Sequence, residues 1–101
     1  MSELRWGFIG NGWIAKVVAG DMKLAGLKIQ AVGARSQAKA DEFADLYDIP
    51  NRHPSYEALV NDPEVDIVYV ATPHPFHLRD AILALNAGKH VLCEKPFAIN
   101  A

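Results

Sequence analysis

The chain has 101 residues, of which half are hydrophobic and 22% are charged, and its formal net charge is -2. This length predicts one domain with a single modest core, and the balance of charge argues against a broad basic surface for nucleic acid or anionic lipid. No apolar run approaches the ~20 residues that a membrane-spanning helix needs.

The first residues and the single cysteine predict a cytoplasmic protein. The opening MSELRWGFIG carries Glu3 and passes directly into a strand-like pattern, unlike a signal peptide. Cys93 cannot form an internal disulfide and fits a reducing compartment. Because it lies in an apolar stretch, we expect Cys93 to be a small buried hydrophobic residue.

The first third of the chain predicts a strand, a helix and a second strand. Residues 5–9 form a short apolar run that ends at a glycine. From Trp13 to Leu24 apolar residues recur at helical spacing, and Gly26 is the predicted stop. Residues 28–34 again read as a buried strand.

The middle of the chain predicts two further helices around a very short strand. Ser36 is the expected N-cap of a helix that runs through Tyr47 and buries Phe43, Ala44 and Tyr47. A very short strand is expected near Arg52. Ser55 then caps a brief helix over the sequence YEALV.

The last third repeats the alternation of strand and helix. Residues 65–71 are the clearest strand, and residues 90–93 are the last one. Between them a helix from about Phe76 is expected to end at Gly88. Its predicted buried face consists of Leu78, Ala81, Ile82 and Leu85.

This alternation predicts an α/β fold with a doubly wound parallel sheet in the order 3-2-1-4-5. Apolar strands of this kind are buried on both faces by helices. Sheets of this class bind ligands beyond the carboxyl ends of their strands, where the strand order reverses. Four loops should therefore meet along one edge.

The loop after the first strand matches the G-x-G-x-x-A pattern at residues 10–15 (GNGWIA). Gly10 suits a tight turn, Gly12 lets the backbone approach a pyrophosphate, and Ala15 allows close packing of helix on strand. The following helix directs its free N–H groups at the anion. The pattern favours dinucleotide binding; the alternative is a glycine-rich turn without a ligand.

The end of the second strand favours NADP(H) over NAD(H). An acidic residue there would bind the ribose 2′-hydroxyl of NAD, but this chain has Arg35 and Ser36. A guanidinium and a hydroxyl both suit a 2′-phosphate. The alternative is a solvated arginine beside a helix N-cap.

Residues 72–77 (TPHPFH) follow the fourth strand and can line the nicotinamide half of the cofactor. His74 and His77 are three residues apart, but this loop has no cysteine or carboxylate, so no metal site is predicted. We expect His77 to cap or orient the loop locally.

The last strand ends in Glu94, Lys95 and Pro96. On the edge of the sheet, the ammonium of Lys95 can donate to a substrate hydroxyl or carbonyl, and partial desolvation would lower its pKa toward a useful range. Pro96 confines Lys95 to extended backbone. The alternative is an ordinary surface Glu-Lys pair.

Three segments, GFIGNGWIA, ATPHPFH and AGKHVLCEKPFAIN, resemble the Gfo/Idh/MocA family, in particular its dihydrodiol and D-xylose dehydrogenase-like branch. The resemblance implies a Rossmann-like domain and NAD(P)-dependent oxidation or reduction of a sugar, polyol or dihydrodiol, with Lys95 as the catalytic candidate. The predicted cofactor-binding residues are Gly10, Asn11, Gly12, Trp13, Ile14, Arg35, Ser36, Thr72, Pro73, His74, His77, Glu94 and Lys95.

Members of that family continue with a sixth strand and a substrate domain, so the resemblance implies that residues 1–101 are an incomplete dinucleotide-binding domain. Asn100 and Ala101 read as a helix start, which also predicts a fragment. We expect it to bind the cofactor weakly, to catalyse nothing alone, and to self-associate through its last strand. The alternative is a stand-alone binding or sensing module.

Overall fold

The computed structural model describes residues 4–72 and 74–93, except for the side chain of His74. In this part of the chain, no helix is long and apolar enough to cross a membrane. The strands are β1 (Trp6–Ile9), β2 (Ile29–Gly33), β3 (Asn51–His53), β4 (Ile67–Val70) and β5 (His90–Cys93). The helices are α1 (Trp13–Leu24), α2 (Gln37–Tyr47), α3 (Tyr56–Val60) and α4 (His77–Asn86), with a 3₁₀ turn at His74–Phe76.

The five described strands form one parallel sheet in the order β3-β2-β1-β4-β5, which confirms the predicted topology. Their last residues pair across the sheet in one row: His53, Gly33, Ile9, Val70 and Cys93. The loops that follow these residues therefore leave the sheet at a common edge.

Each face of the sheet is covered by two helices. On one face Phe8 stacks on Tyr69 with ring centroids 5.3 Å apart and meets Phe43 of α2 at 6.0 Å. On the other face Ile9 and Val70 belong to a separate buried cluster with residues of α3 and α4. The central strands β1, β2 and β4 are mostly apolar on both sides, as expected for strands that are buried on both sides.

The starts of α2 and α3 are set by hydroxyl caps, as the sequence predicts. Oγ of Ser36 accepts from the N–H of Lys39 at 3.2 Å, and Oγ of Ser55 accepts from the N–H of Ala58 at 3.1 Å. Such caps contribute about 0.5–2 kcal/mol each. Tyr47, expected to be buried, is half-buried, and its hydroxyl donates to the carbonyl of Lys16.

The predicted buried face of α4 is wrong. Leu78 and Leu85 are 73% and 58% exposed and Ile82 is also exposed, whereas Asp80 and Ala84 are buried. The face that α4 buries is the one on which Asp80 accepts from the hydroxyl of Thr72 and the small Ala84 packs in the cluster with Ile9 and Val70. Hydrophobicity alone identifies the wrong face here.

Asp62 joins β3 to the loop between α3 and β4. Its carboxylate is 6% exposed and accepts from Nδ2 of Asn51 at 2.7 Å, Nε2 of His53 at 2.8 Å and the N–H of Glu64 at 2.8 Å. Burial by itself raises the pKa of Asp62, but these hydrogen bonds outweigh it and hold the pKa below its ordinary value of 3.8. The ionised form therefore stabilises the fold.

We expect this stabilisation to be complete above the pKa of Asp62 in the unfolded chain and to disappear as the pH falls through the lowered folded-state value. Asp62→Asn should reduce the unfolding free energy at pH 7 by about 1–3 kcal/mol and flatten its decline in acid. Urea unfolding followed by circular dichroism at several pH values measures this. Asp21→Asn, at an exposed position on α1, is the control. If the unfolding free energy of Asp62→Asn declines in acid as steeply as that of the wild type, ionised Asp62 does not stabilise the fold.

Candidate functional site

The turn after β1 is tied to both neighbouring strands. The N–H of Gly10 donates to the carbonyl of Gly33 at 3.0 Å, and the N–H of Ala71 donates to the carbonyl of Ile9 at 2.9 Å. Gly10 has φ +101°, a conformation that residues with a side chain rarely adopt. A Cβ on Gly10 would also lie 3.3 Å from backbone atoms of Ala71. The positive φ therefore strongly favours glycine at position 10, and the close approach of Ala71 adds to that preference.

The N-terminus of α1 is open toward this edge. Gly12 is the N-cap residue with φ -78° and ψ -167°, and no side chain in the described ranges caps the helix. A Cβ on Gly12 would meet no described atom within 4 Å. Uncapped N–H groups and the positive end of the helix dipole together make a binding position for an anion.

A pocket of about 450 Å³ lies over the switch point between β1 and β4. This volume falls within the range of ~300–1,000 Å³ typical of small-molecule sites. Seven of the predicted cofactor residues are brought together in it. Its described lining is Gly10, Asn11, Gly12, Trp13, Ile14, Arg35, Lys39, Tyr56, Ala71 and Thr72.

The corner of the pocket beyond β2 is basic. Arg35 and Lys39 are both exposed, and they are the charged residues among the described lining. Within the described part of the chain neither forms an ion pair. Ser36 does not line the pocket in the described structure, and its Oγ accepts the cap hydrogen bond from Lys39.

Thr72 closes the pocket on the β4 side and is anchored from below. Its Oγ1 donates to Oδ2 of Asp80 at 2.6 Å, and its carbonyl accepts from Nε2 of His77. His77 therefore orients the backbone of this loop without itself lining the pocket.

Burial raises the pKa of the half-buried Cys93 thiol, and the negative charge of Asp80 raises it further.

Four of the predicted site positions are outside the described residues. They are Pro73, the side chain of His74, Glu94 and Lys95. In the part of the chain that is described, no group of three or more His, Cys, Asp or Glu side chains could hold a metal ion. The described site is thus a pocket with uncapped helix N–H groups at one end and two cationic side chains at the other.

Comparison with known proteins identifies the family. The profile described as the Gfo/Idh/MocA oxidoreductase family, NAD-binding Rossmann fold, matches residues 4–101. The chain belongs to the Gfo/Idh/MocA family. This confirms the resemblance seen in the sequence and the α/β fold expected from it.

Two relatives of the chain in this family are trans-1,2-dihydrobenzene-1,2-diol dehydrogenases. The Danio rerio protein is 47% identical over 100 residues, and the Mus musculus protein is 44% identical over 101. These alignments cover 96% and 97% of this chain but 30% of each relative. The chain therefore spans less than a third of the length of these Gfo/Idh/MocA proteins.

Solved structures show the same fold. An NAD-binding oxidoreductase from Klebsiella pneumoniae superposes with a TM-score of 0.87 at 33% identity, over 97% of this chain and 28% of its own. A 3-ketoreductase from Actinomadura kijaniata in complex with NADP also gives 0.87 at 33% identity, over 94% of this chain and 31% of its own. The homologues carry oxidoreductase names, so this domain comes from a family of enzymes.

Sequence reasoning missed three pocket residues of this Gfo/Idh/MocA domain, which are Lys39, Tyr56 and Ala71. Lys39 carries a signal that could have been used. It is the third residue after the N-cap Ser36, where a capping box would have Glu or Gln and where a cation opposes the helix dipole. A lysine placed against the helix dipole suggests an anionic ligand. Tyr56 has no comparable signal, because it reaches the pocket only through the packing of α3.

Proposed function

We propose that this chain is the dinucleotide-binding part of an NADP(H)-dependent oxidoreductase that acts on a hydroxyl or carbonyl of a sugar, polyol or dihydrodiol. The observation that carries the proposal is the pocket in which the open N-terminus of α1 faces the same space as Arg35 and Lys39. An anionic ligand with phosphates at two separate places fits this arrangement of donors.

The residues present fit a dinucleotide at each part of the pocket. The N–H groups at the start of α1 would bind the pyrophosphate, and Gly12 would leave room for its approach. Trp13, which is 74% exposed at the pocket rim, offers an apolar surface to the ligand. Thr72 would border the opposite side. When bound, the nicotinamide supplies a hydride donor or acceptor.

The preference for NADP(H) rests on the corner beyond β2. No acidic residue is among the described residues that line the pocket, so nothing described there repels a 2′-phosphate. Arg35 and Lys39 would donate to that phosphate, and each charged hydrogen bond contributes about 1.5–3 kcal/mol. The 3-ketoreductase from Actinomadura kijaniata, which shares the fold, was crystallised with NADP.

We expect Arg35→Ala and Lys39→Ala each to weaken NADPH binding by about tenfold or more while changing NADH binding by less than about threefold. Energy transfer from tryptophan to the reduced nicotinamide measures both affinities. Trp6→Phe leaves Trp13, at the pocket, as the remaining tryptophan. Amide shifts in NMR titrations extend the measurement to weak binding.

Lys28→Ala is the matched control, because Lys28 is exposed and precedes β2 at the opposite edge of the sheet. It removes the same charge but should leave the ratio of NADPH to NADH affinity unchanged. A ratio that also stays unchanged in Arg35→Ala and Lys39→Ala contradicts the preference. Absence of dinucleotide binding by the chain and by a full-length parent contradicts the proposal itself.

We further propose that turnover needs more chain than these 101 residues, because the dehydrogenase relatives are more than three times as long. Mixing the chain with NADP and dihydrodiols or sugars should give no reduced cofactor. Turnover by the chain alone contradicts this expectation. If the full-length parent binds the dinucleotide but oxidises none of these substrates, the alternative of a binding or sensing module is favoured.

The localisation, the partners and the oligomeric state are also proposals. We infer a cytoplasmic enzyme that takes a small-molecule substrate and has no nucleic-acid or membrane partner, on the basis of its net charge of -2 and its single cysteine. We also propose a homo-oligomer, because β5 is an edge strand of the described sheet.

A further inference from the structure

Asp80 is a buried carboxylate whose presence the packing of α4 does not explain. It is 1% exposed and lies on the face of α4 that otherwise buries Ala84. A carboxylate in such a place is costly unless it is hydrogen-bonded and paired. An apolar residue at position 80 would pack against the sheet without that cost, so packing alone does not account for the charge.

Both oxygens of Asp80 are occupied. Oδ2 accepts from Oγ1 of Thr72 at 2.6 Å, and Oδ1 accepts from Nε of Arg79 at 2.9 Å. The guanidinium of Arg79 in turn lies 4.6 Å from the ring centroid of Phe76. Arg79 balances the negative charge next to a pocket suited to an anion, and the ring holds the guanidinium in place.

The bond to Asp80 fixes which way Thr72 faces. With Oγ1 directed at the carboxylate, Cγ2 is the atom directed at the turn after β1, 3.3 Å from the place that a Cβ on Gly10 would take. A β-branched side chain has few χ1 states, so one strong hydrogen bond is enough to select between them. The hydrogen bond therefore holds Thr72, which lines the pocket, in one orientation.

We propose that Asp80 is a positioning residue: by holding the hydroxyl of Thr72, it fixes the pocket wall against the Gly10 turn and thereby sets the affinity for the dinucleotide. The affinity part of this inference rests on the proposed function. The rotamer part depends only on the protein and can be measured without a ligand.

The first experiment is NMR of the free chain. In the wild type, the Thr72 methyl group should show one χ1 state in three-bond couplings and a strong NOE to the Hα atoms of Gly10. Asp80→Ala should average the couplings and weaken the NOE. Asp80→Asn, whose amide oxygen still accepts, should keep both. If Asp80→Ala does not fold, Asp80→Leu fills the space without an acceptor.

The second experiment is a double-mutant cycle on NADPH affinity. Asp80→Ala should weaken binding by about fivefold or more, but by less than about twofold when Thr72 is already valine. Asp62→Ala is the matched control: it removes another buried acid, which does not line the pocket, and should lower thermal stability without changing affinity. Asp80→Asn should bind within about twofold of the wild type.

Two results overturn the inference. One is a Thr72 rotamer and NOE that are unchanged in both Asp80→Ala and Asp80→Leu. The other is a loss of affinity that is equally large with Thr72 and with valine at position 72, since Asp80 would then act by another route. If neither the wild-type chain nor a full-length parent binds NADPH or NADH, the proposed function and the affinity part of the inference fail together, and the NMR result still decides whether Asp80 positions Thr72.

Discussion

Replacing Gly10 by alanine is expected to lower the unfolding free energy by about 2–3 kcal/mol and to abolish dinucleotide binding. The residue has φ +101°, and a Cβ there would approach Ala71 and Cγ2 of Thr72 at 3.3 Å. The turn after β1 would have to move away from both residues, and the central loop at this edge of the sheet would be displaced. Chemical denaturation measures the loss of stability, and NMR titration with NADPH measures binding.

Gly12→Ala separates binding from folding at a position two residues away. Gly12 has φ -78°, which any residue adopts, and an added Cβ meets no described atom within 4 Å. We therefore expect the unfolding free energy to change by less than about 1 kcal/mol. Dinucleotide affinity should nevertheless fall by about tenfold or more, because the methyl group occupies the approach of the pyrophosphate to the helix N–H groups.

The two glycine variants make a pair with opposite expected profiles. Equal destabilisation by both would mean that the turn tolerates no side chain anywhere and that Gly12 has a structural role. Full NADPH affinity in Gly12→Ala would show that no phosphate approaches the start of α1. Either result would remove the main support for a dinucleotide in this pocket.

The order of strands could be predicted because β1, β2 and β4 are mostly apolar on both faces and each is followed by a helix. Only a sheet covered on both sides buries such strands as Phe8-Ile9 and Tyr69-Val70. Hydroxyl caps at Ser36 and Ser55 could be predicted for a similar reason, since they act through atoms close in sequence. Each cap can be recognised from the sequence because its donor and its acceptor lie within a few residues of each other.

The orientation of α4 and the full membership of the pocket could not be predicted, because both depend on contacts between different elements of the fold. Asp80 lies on the buried face of α4, where its carboxylate accepts from the hydroxyl of Thr72. Tyr56 enters the pocket because α3 packs on the sheet beside β2. The apolar residues of α4 predict a buried face that includes Leu78 and Leu85, but both are exposed. Polar pairing across the fold outweighs hydrophobic periodicity at this helix.

The catalytic role of Lys95 remains a proposal, and it predicts the largest effect on activity. In the full-length parent, Lys95→Met should lower turnover by about 10²–10⁴-fold, because the substrate oxygen loses the group that donates to it and exchanges its proton. Methionine has a similar length and no charge, so dinucleotide affinity should change by less than about threefold. Steady-state kinetics and tryptophan-to-nicotinamide energy transfer measure these two quantities separately.

The register of β5, which the structure describes up to Cys93, supports this proposal. Cys93 pairs with Val70, which pairs with Ile9, so the strand that leads to Lys95 ends in the same row as the strand that leads to Gly10. Lys28→Met, at the other edge, is the charge-matched control and should retain full turnover. If the parent keeps its turnover without Lys95, this lysine is a surface residue. If the parent loses only dinucleotide affinity, Lys95 binds the cofactor. In both cases another group transfers the proton.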